Sequence, residues 1–184
     1  LFDKGRPSSR PMAGKTEHLG SREHRAVARQ AVRESLVLLK NNGGLLPLER
    51  RQTVLVAGDG AHNIGKQSGG WTLTWQGTGT SNEDFPGASS IWDGIKRLVE
   101  GAGGVAVLSE DGSYRSRPDV AVVVFGEDPY AEYQGQRETH DYGLARPDDL
   151  QLSKQLKAAV IRFDSNFLSG RPSRTQPELN AENA

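Results

Sequence analysis

Asp119-Val120-Ala121-Val122-Val123-Val124-Phe125 holds six consecutive apolar residues behind a single acid. With no polar residue alternating through it, the run suits a central parallel strand buried on both faces. Working outward, residues 53–57 (TVLVA) read as a first strand, and Ile91, Ile95 and Leu98 mark a helix. Residues 105–108 form a short strand, and Leu150, Leu152, Leu156 and Ala159 mark a further helix opened by Pro147-Asp148-Asp149. Residues 160–167 complete the series. There Arg162, Asp164 and Asn166 alternate with Ile161, Phe163 and Phe167, the pattern of an edge strand with one exposed face. Strands alternating with helices predict an α/β fold, a mostly parallel sheet flanked by helices. Ligands in such sheets collect beyond the carboxyl ends of the strands. Two polar loops leave such ends, residues 58–79 and 126–141.

Upstream, residues 1–20 mix Gly5, Pro7, Pro11, Gly14 and Gly20 with many charges, as an extended linker does. A helix should start after Ser21, with Ala28, Ala31, Val32, Ser35, Leu36 and Leu39 on one buried face. Lys40 and Asn41-Asn42-Gly43-Gly44 should close it, and Leu45-Leu46-Pro47-Leu48 should form a buried turn into the first strand. The 184 residues can bury a sizeable core, and 23 basic against 23 acidic side chains leave no electrostatic footprint for nucleic acid or an anionic membrane. No cysteine is present, so disulfides and thiolate metal sites are excluded. No apolar run approaches membrane-spanning length.

The loop after the first strand holds Gly69-Gly70-Trp71-Thr72-Leu73-Thr74-Trp75-Gln76-Gly77. Indole rings on a glycine-flanked loop suit a sugar, whose C–H faces stack on aromatics while its hydroxyls hydrogen-bond. The residues alone leave a second use open, that Trp71 and Trp75 merely anchor the loop. The same loop contains Gly60-Ala61-His62-Asn63-Ile64-Gly65-Lys66, the outline of a phosphate-binding loop. Gln67 occupies the position that needs a magnesium-binding hydroxyl, and the glycine-rich stretch beyond it has no helical period, so nucleotide binding is not expected. The second loop places Glu127, Asp128 and Glu132 just past the buried strand, with Glu138 and Asp141 beyond. A carboxyl group beside aromatic surface has its charged form disfavoured and becomes a usable proton donor. Glu132, between Tyr130 and Tyr133, has such neighbours, although acids on a polar loop can equally be plain solvated charges.

Taken together, KNNGGLLPL, GKQSGGWTLTWQG, VVVFGEDPYAEYQG, FLSGRP and PELN occur in the order and spacing of the second domain of family 3 glycoside hydrolases. The chain resembles in particular the bacterial β-glucosidase and exo-glucanase branch. Gln136 departs from the pattern, standing where an aspartate often follows the glycine.

The resemblance implies an α/β sandwich that pairs with a TIM-like barrel in cis, with the active site in the cleft between them. It implies retaining hydrolysis of a β-glucoside or β-glucan oligosaccharide, with no metal and no organic cofactor. The nucleophilic aspartate belongs to the barrel and is not expected in this chain. Glu132 takes the acid/base role, Trp75 and, less closely matched, Trp71 flank the sugar, and Glu127 and Asp128 are rival acids that shape the loop. On the same basis residues 1–20 resemble the end of the barrel and the interdomain linker. Residues 21–184 resemble the sandwich, truncated before its remaining strands. A periplasmic or secreted location follows from the resemblance alone. The alternative is a non-catalytic carbohydrate-binding or remnant domain that uses the tryptophan loop without chemistry.

Overall fold

The structure, a computed structural model, describes residues 2–142 and 146–175, so the Pro177-Glu178-Leu179-Asn180 motif lies outside the described residues. The chain divides into two compact units, Leu1–Leu39 and Lys40–Ala184.

In the first unit, helix α1 (Arg22–Ser35) begins where Ser21 predicts, the Ser21 hydroxyl accepting from the His24 amide at 3.2 Å. It ends short of Lys40. The Ser35 hydroxyl turns back onto the Val32 carbonyl at 3.0 Å, and Leu36 takes an extended conformation. The apolar stripe expected to be buried is exposed throughout, Leu36 at 72% and Leu39 at 69%. Among the described residues of its own unit the helix is accompanied only by the 3-10 turns Phe2–Lys4 and Pro7–Ser9, which provide no second apolar layer to pack against.

The second unit is a four-stranded, all-parallel sheet in the order β2-β1-β3-β4. Its elements are β1 (Thr53–Ala57), α2 (Ile64–Ser68), α3 (Ile91–Gly101), β2 (Val105–Leu108), β3 (Val120–Gly126), α4 (Pro147–Ala158) and β4 (Arg162–Leu168). All seven residues of β3 are buried, as a strand covered on both faces requires. One face packs Leu55, Ala57, Ala121, Val123 and Phe125 against Leu152 and Leu156 of α4. The other packs Val54, Val56, Val120, Val122 and Val124 against Val99 of α3, with Ile91, Trp92 and Ile95 half-covered beside them. Each fully buried Val or Leu contributes about 1.5–3 kcal/mol, so these two layers are what hold the sheet rigid beneath the loops.

Two expectations shift by a residue or two. In α3 the inward position is Val99, whereas Leu98 is 51% exposed. The capping box of Ser90 and Asp93 fixes where this helix starts and so which face turns inward. The last strand starts at Arg162 rather than Val160. Val160 is exposed with φ at 56° and its amide on the Lys157 carbonyl, so it still belongs to the end of α4. Among the described strands β4 is the edge that its alternation predicts, but the face expected to be exposed is half-buried at Asp164 and Asn166, which bond each other at 2.7 Å. The 45–48 segment is half-buried, bracketed by Asn41, whose side chain bonds the Leu46 amide and carbonyl at 3.1 and 3.0 Å. No described helix is long and apolar enough to cross a membrane.

From β1 the chain proceeds to the β2 side of the sheet, while β3 and β4 lie on the other side. The loops that follow β1 and β3 therefore leave neighbouring strands at the point where the strand order reverses.

Candidate active site

The loop after β1 starts with α2, a helix of five residues where none was expected. Asn63 caps it and accepts from the Lys66 amide at 2.9 Å, while Asn82 accepts from the Ile64 amide at 2.9 Å. Lys66 does not point to solvent as a phosphate-binding lysine would. Its side chain is 1% exposed, and its ammonium lies 2.6 Å from Asp59 Oδ2 and 3.1 Å from Asp128 Oδ1. Arg146 bridges the same two carboxylates from the start of α4, 3.1 Å from Asp128 Oδ2 and in contact with Asp59 Oδ2. The lysine of the apparent phosphate loop and its Gly60, Ala61, Ile64 and Lys66 amides are therefore occupied by the protein itself.

Beyond α2 the chain turns sharply. Trp71 and Leu73 both adopt φ of 60°, a left-handed conformation that costs a non-glycine residue about 1–2 kcal/mol. The Trp71 amide donates to the Trp75 carbonyl at 2.9 Å, closing a tight turn that displays both indoles. They are exposed, at 70% and 50%, with centroids 6.2 Å apart and planes at 52°. A loop anchor would be buried, so the simple anchoring use does not fit these rings.

The acid loop approaches from β3. Gly70 makes this possible: a Cβ there would overlap the Tyr130 carbonyl oxygen and lie 2.7 Å from its carbon. Gln76 then ties the loops together, its Oε1 accepting from the Ala131 amide at 2.7 Å and its Nε2 donating to the Glu132 carbonyl at 3.0 Å. The Trp75 indole N–H donates to Glu132 Oε2 at 2.7 Å. Tyr133, at φ 69°, stands edge-on to Trp75 with centroids 6.0 Å apart. The structure thus brings Trp71, Trp75 and Glu132 into one exposed surface, with Tyr133 as a third aromatic ring.

The environment of Glu132 differs from the expected one. Its carboxyl is exposed, and the indole N–H of Trp75, followed by its own backbone N–H, holds it below the usual carboxylate range. The flanking tyrosines do not enclose it: Tyr133 is 72% exposed, and Tyr130 turns under the Arg171 guanidinium.

The other two acids are occupied differently. Glu127 is 6% exposed in its side chain and sits between Arg137 at 2.8 Å and Arg171 at 3.2 Å, with the Ser169 hydroxyl donating at 2.8 Å. Burial alone would raise its carboxyl. The bonds from Ser169 and Arg137 and the charge of Arg171 outweigh burial and lower it. Asp128 is 68% exposed and paired with Lys66 and Arg146. Among the described residues no group of three or more His, Asp or Glu is placed to hold a metal ion.

Sequence reasoning missed three residues that shape this site. Gln76 was visible only as a letter between Trp75 and Gly77. Lys66 was read through the wrong motif, and Arg171 was hidden in the SGRP segment. The available signal was their adjacency to glycine turns at strand ends, where side chains reach across to neighbouring loops.

A family model described as the glycosyl hydrolase family 3 C-terminal domain matches residues 36–183. The chain belongs to this family. The family 3 chain is similar to the exo-1,3/1,4-β-glucanase ExoP of a Pseudoalteromonas species. A point-mutant structure of that enzyme superposes with a TM-score of 0.92 at 50% identity, covering 96% of this chain and 28% of that one. A lysosomal β-glucosidase of Dictyostelium discoideum is 29% identical over 191 residues, covering 94% of this chain and 23% of its own length. A β-glucosidase from Listeria innocua, in complex with isofagomine, shares the fold at a TM-score of 0.73 and 21% identity. The family 3 chain thus spans about a quarter of the length of these relatives, 23% and 28% of the first two.

Proposed function

We propose that this chain supplies the proton-transfer and aromatic side of a retaining β-glucosidase or exo-β-glucanase active site, completed in cis by a barrel bearing an aspartate nucleophile. The observation that supports this most directly is the 2.7 Å bond from the Trp75 indole to Glu132 Oε2, which joins a sugar-stacking ring and a carboxyl in one surface. In this reading the barrel aspartate attacks the anomeric carbon, and the bond to the leaving oxygen breaks as Glu132 protonates that oxygen. Glu132, now a carboxylate, then takes a proton from the water that displaces the aspartate and releases the sugar. Trp75 and Trp71 stack on the leaving-group side. As it stands the exposed, lowered Glu132 carboxyl favours its charged form, the state the second step starts from, but it is a weak base. For the first step, a sugar and the barrel wall laid over it would exclude water and raise it toward a proton-donating value.

Glu132→Gln in the chain joined to its barrel tests the assignment. Turnover of a β-glucoside with a poor alkyl leaving group should fall by about 10²–10⁴-fold. A dinitrophenyl β-glucoside, which needs no acid, should still form the glycosyl-enzyme, and added azide should release β-glucosyl azide. Equal loss on both substrates with no azide product would refute it. The exposed rings of Trp71, Trp75 and Tyr133 also support a second reading, a carbohydrate-binding domain without chemistry. Laminaribiose binding that survives Glu132→Gln, with full turnover retained, would favour that one.

A further inference from the structure

We propose that Arg171 is the positioning residue that aims Glu132, acting through the loop that carries it; the inference rests on Glu132 being the acid/base. Arg171 arrives from the end of β4, where the Glu127 amide donates to the Leu168 carbonyl at 3.0 Å and continues the strand pairing. Its side chain is 14% exposed and its guanidinium carbon lies 3.9 Å over the Tyr130 ring centroid. Arg171 Nε donates to Glu127 Oε2 at 3.2 Å and to the Tyr130 hydroxyl at 2.8 Å, while Nη1 donates to the Gly135 carbonyl. One guanidinium therefore grips the acid loop at Glu127, Tyr130 and Gly135.

Between these grips the backbone folds on itself. The Gly135 amide bonds the Ala131 carbonyl at 2.9 Å and the Gln134 amide bonds the Glu132 carbonyl at 2.9 Å, so residues 131–135 form one compact turn. The Tyr130 ring lies against that turn, close enough that a Cβ on Gly135 would be 3.1 Å from Tyr130 Cε2. Guanidinium, phenol ring and turn are layered, and the turn carries Glu132. From the tryptophan loop, Glu132 is also held by the Trp75 indole and the Gln76 amide. Two sets of contacts thus fix the carboxyl together: Gln76 sets its distance from the tryptophans, and Arg171 sets the height and tilt of the turn. Arginine suits this place because its planar guanidinium stacks on the Tyr130 ring while the N–H groups along its edge donate to Glu127 and Gly135, a combination a compact ammonium lacks.

The test uses the Trp75 indole N–H as a reporter, by nitrogen-15 NMR of the 184-residue protein. In the parent its shift should titrate with the Glu132 carboxyl, and Glu132→Gln should abolish that titration. In Arg171→Lys, which keeps a cation beside Glu127, the midpoint should move up toward an ordinary glutamate and the indole proton should exchange faster with water. Tyr130→Phe, which removes one of the three acceptors, should move it less. Superimposable titrations of the parent and Arg171→Lys would overturn the proposal, as would a parent indole that does not sense Glu132. Joined to the barrel, Arg171→Lys should lower kcat about 10–100-fold on alkyl glucosides and far less on a dinitrophenyl glucoside. Equal loss on both points to a purely structural role and overturns the proposal. Failure of the azide experiment with an intact indole result would instead remove the catalytic reading of Glu132 and leave the anchoring geometry standing.

Discussion

Gly70→Ala is the most direct test of how the two loops make one site. The added methyl would overlap the Tyr130 carbonyl oxygen and sit 2.7 Å from its carbon and 3.3 Å from the Ala131 nitrogen. Nonbonded carbons settle at about 3.5–4.0 Å, so the loops must part by about 1 Å. Three bonds cross that seam: Trp75 to Glu132 at 2.7 Å, Ala131 to Gln76 at 2.7 Å and Gln76 to Glu132 at 3.0 Å. A separation of about 1 Å takes them to the limit of hydrogen bonding or past it. Losing the two Gln76 bonds and adding overpacking should destabilise the domain by about 1–3 kcal/mol. The larger consequence is functional. A reacting group misplaced by about 1 Å loses on the order of 10²-fold in rate. Urea unfolding followed by tryptophan fluorescence reads the first effect, the Trp75 indole N–H shift reads the seam itself, and turnover of the barrel-joined chain reads the second. Gly94→Ala is the control, because its Cβ enters open space in α3 and should be neutral or stabilising by up to about 1 kcal/mol. A Gly70→Ala protein with an unshifted indole resonance and parental stability would refute the close-approach argument.

Other perturbations separate the supports of the site. Tyr142→Phe removes the hydroxyl that donates to Asp149 Oδ2 in the core between sheet and α4, and should lower stability by about 1.5–3 kcal/mol in urea melts. A change under about 0.5 kcal/mol would show that water or Arg146 replaces it. Lys66→Met deletes a buried cation, but Arg146 still bridges Asp59 and Asp128, both of which reach solvent. The expected loss is therefore about 1–3 kcal/mol rather than the roughly 3–5 kcal/mol of an orphaned buried charge. Adding Arg146→Met should exceed the sum of the single losses, and strict additivity would argue against a shared network. Glu127 has a folded-state pKa below its unfolded one, so its stabilisation is complete above the unfolded value and is lost as pH falls through the folded value. Glu127→Gln should flatten the acid limb of the stability–pH curve, and an unchanged acid limb would contradict the assigned ion pairs.

The strands were legible because their signal is local. Residues 119–125 could be little else than a strand covered twice, and β1 and β2 match their sequence bounds to the residue. The start of the first helix was legible for the same reason, since Ser21 caps through a bond to a residue three positions on. Of the predicted α1 stripe, Ala28, Ala31, Val32 and Ser35 are helical while Leu36 and Leu39 fall beyond the helix end, and periodicity states which residues share a face and not what lies opposite. The site divided along the same line. Glu132 and Trp75 stand out by their motif, whereas the bonds that tie the loops together, Lys66 to Asp128, Gln76 to Ala131 and Arg171 to Gly135, span 62, 55 and 36 positions. Nothing in a local window encodes such partners.

Glu132 shows why residue neighbours in sequence mislead about proton affinity. Flanking tyrosines imply an apolar niche only if their rings turn toward the carboxyl. Here the left-handed turn at Tyr133 sends one ring outward to Trp75, and Arg171 draws the other underneath the loop. What remains is an exposed carboxyl beside the Trp75 indole N–H and its own backbone N–H, and exposure and both donors favour the charged form. An acid built this way has no intrinsic preference for its proton. Proton-donating character must come from whatever covers the surface, so binding of a sugar and protonation of Glu132 become linked. The linkage has a definite sign: a saccharide that desolvates Glu132 should bind with net proton uptake at mildly acidic pH. Calorimetry of a thio-linked laminaribiose, which is not hydrolysed, binding to the barrel-joined chain in buffers of different ionisation enthalpy measures that uptake. Glu132→Gln should abolish it. Proton-neutral binding by the parent would mean that the carboxyl stays solvated in the complex, and that its proton is supplied by another group.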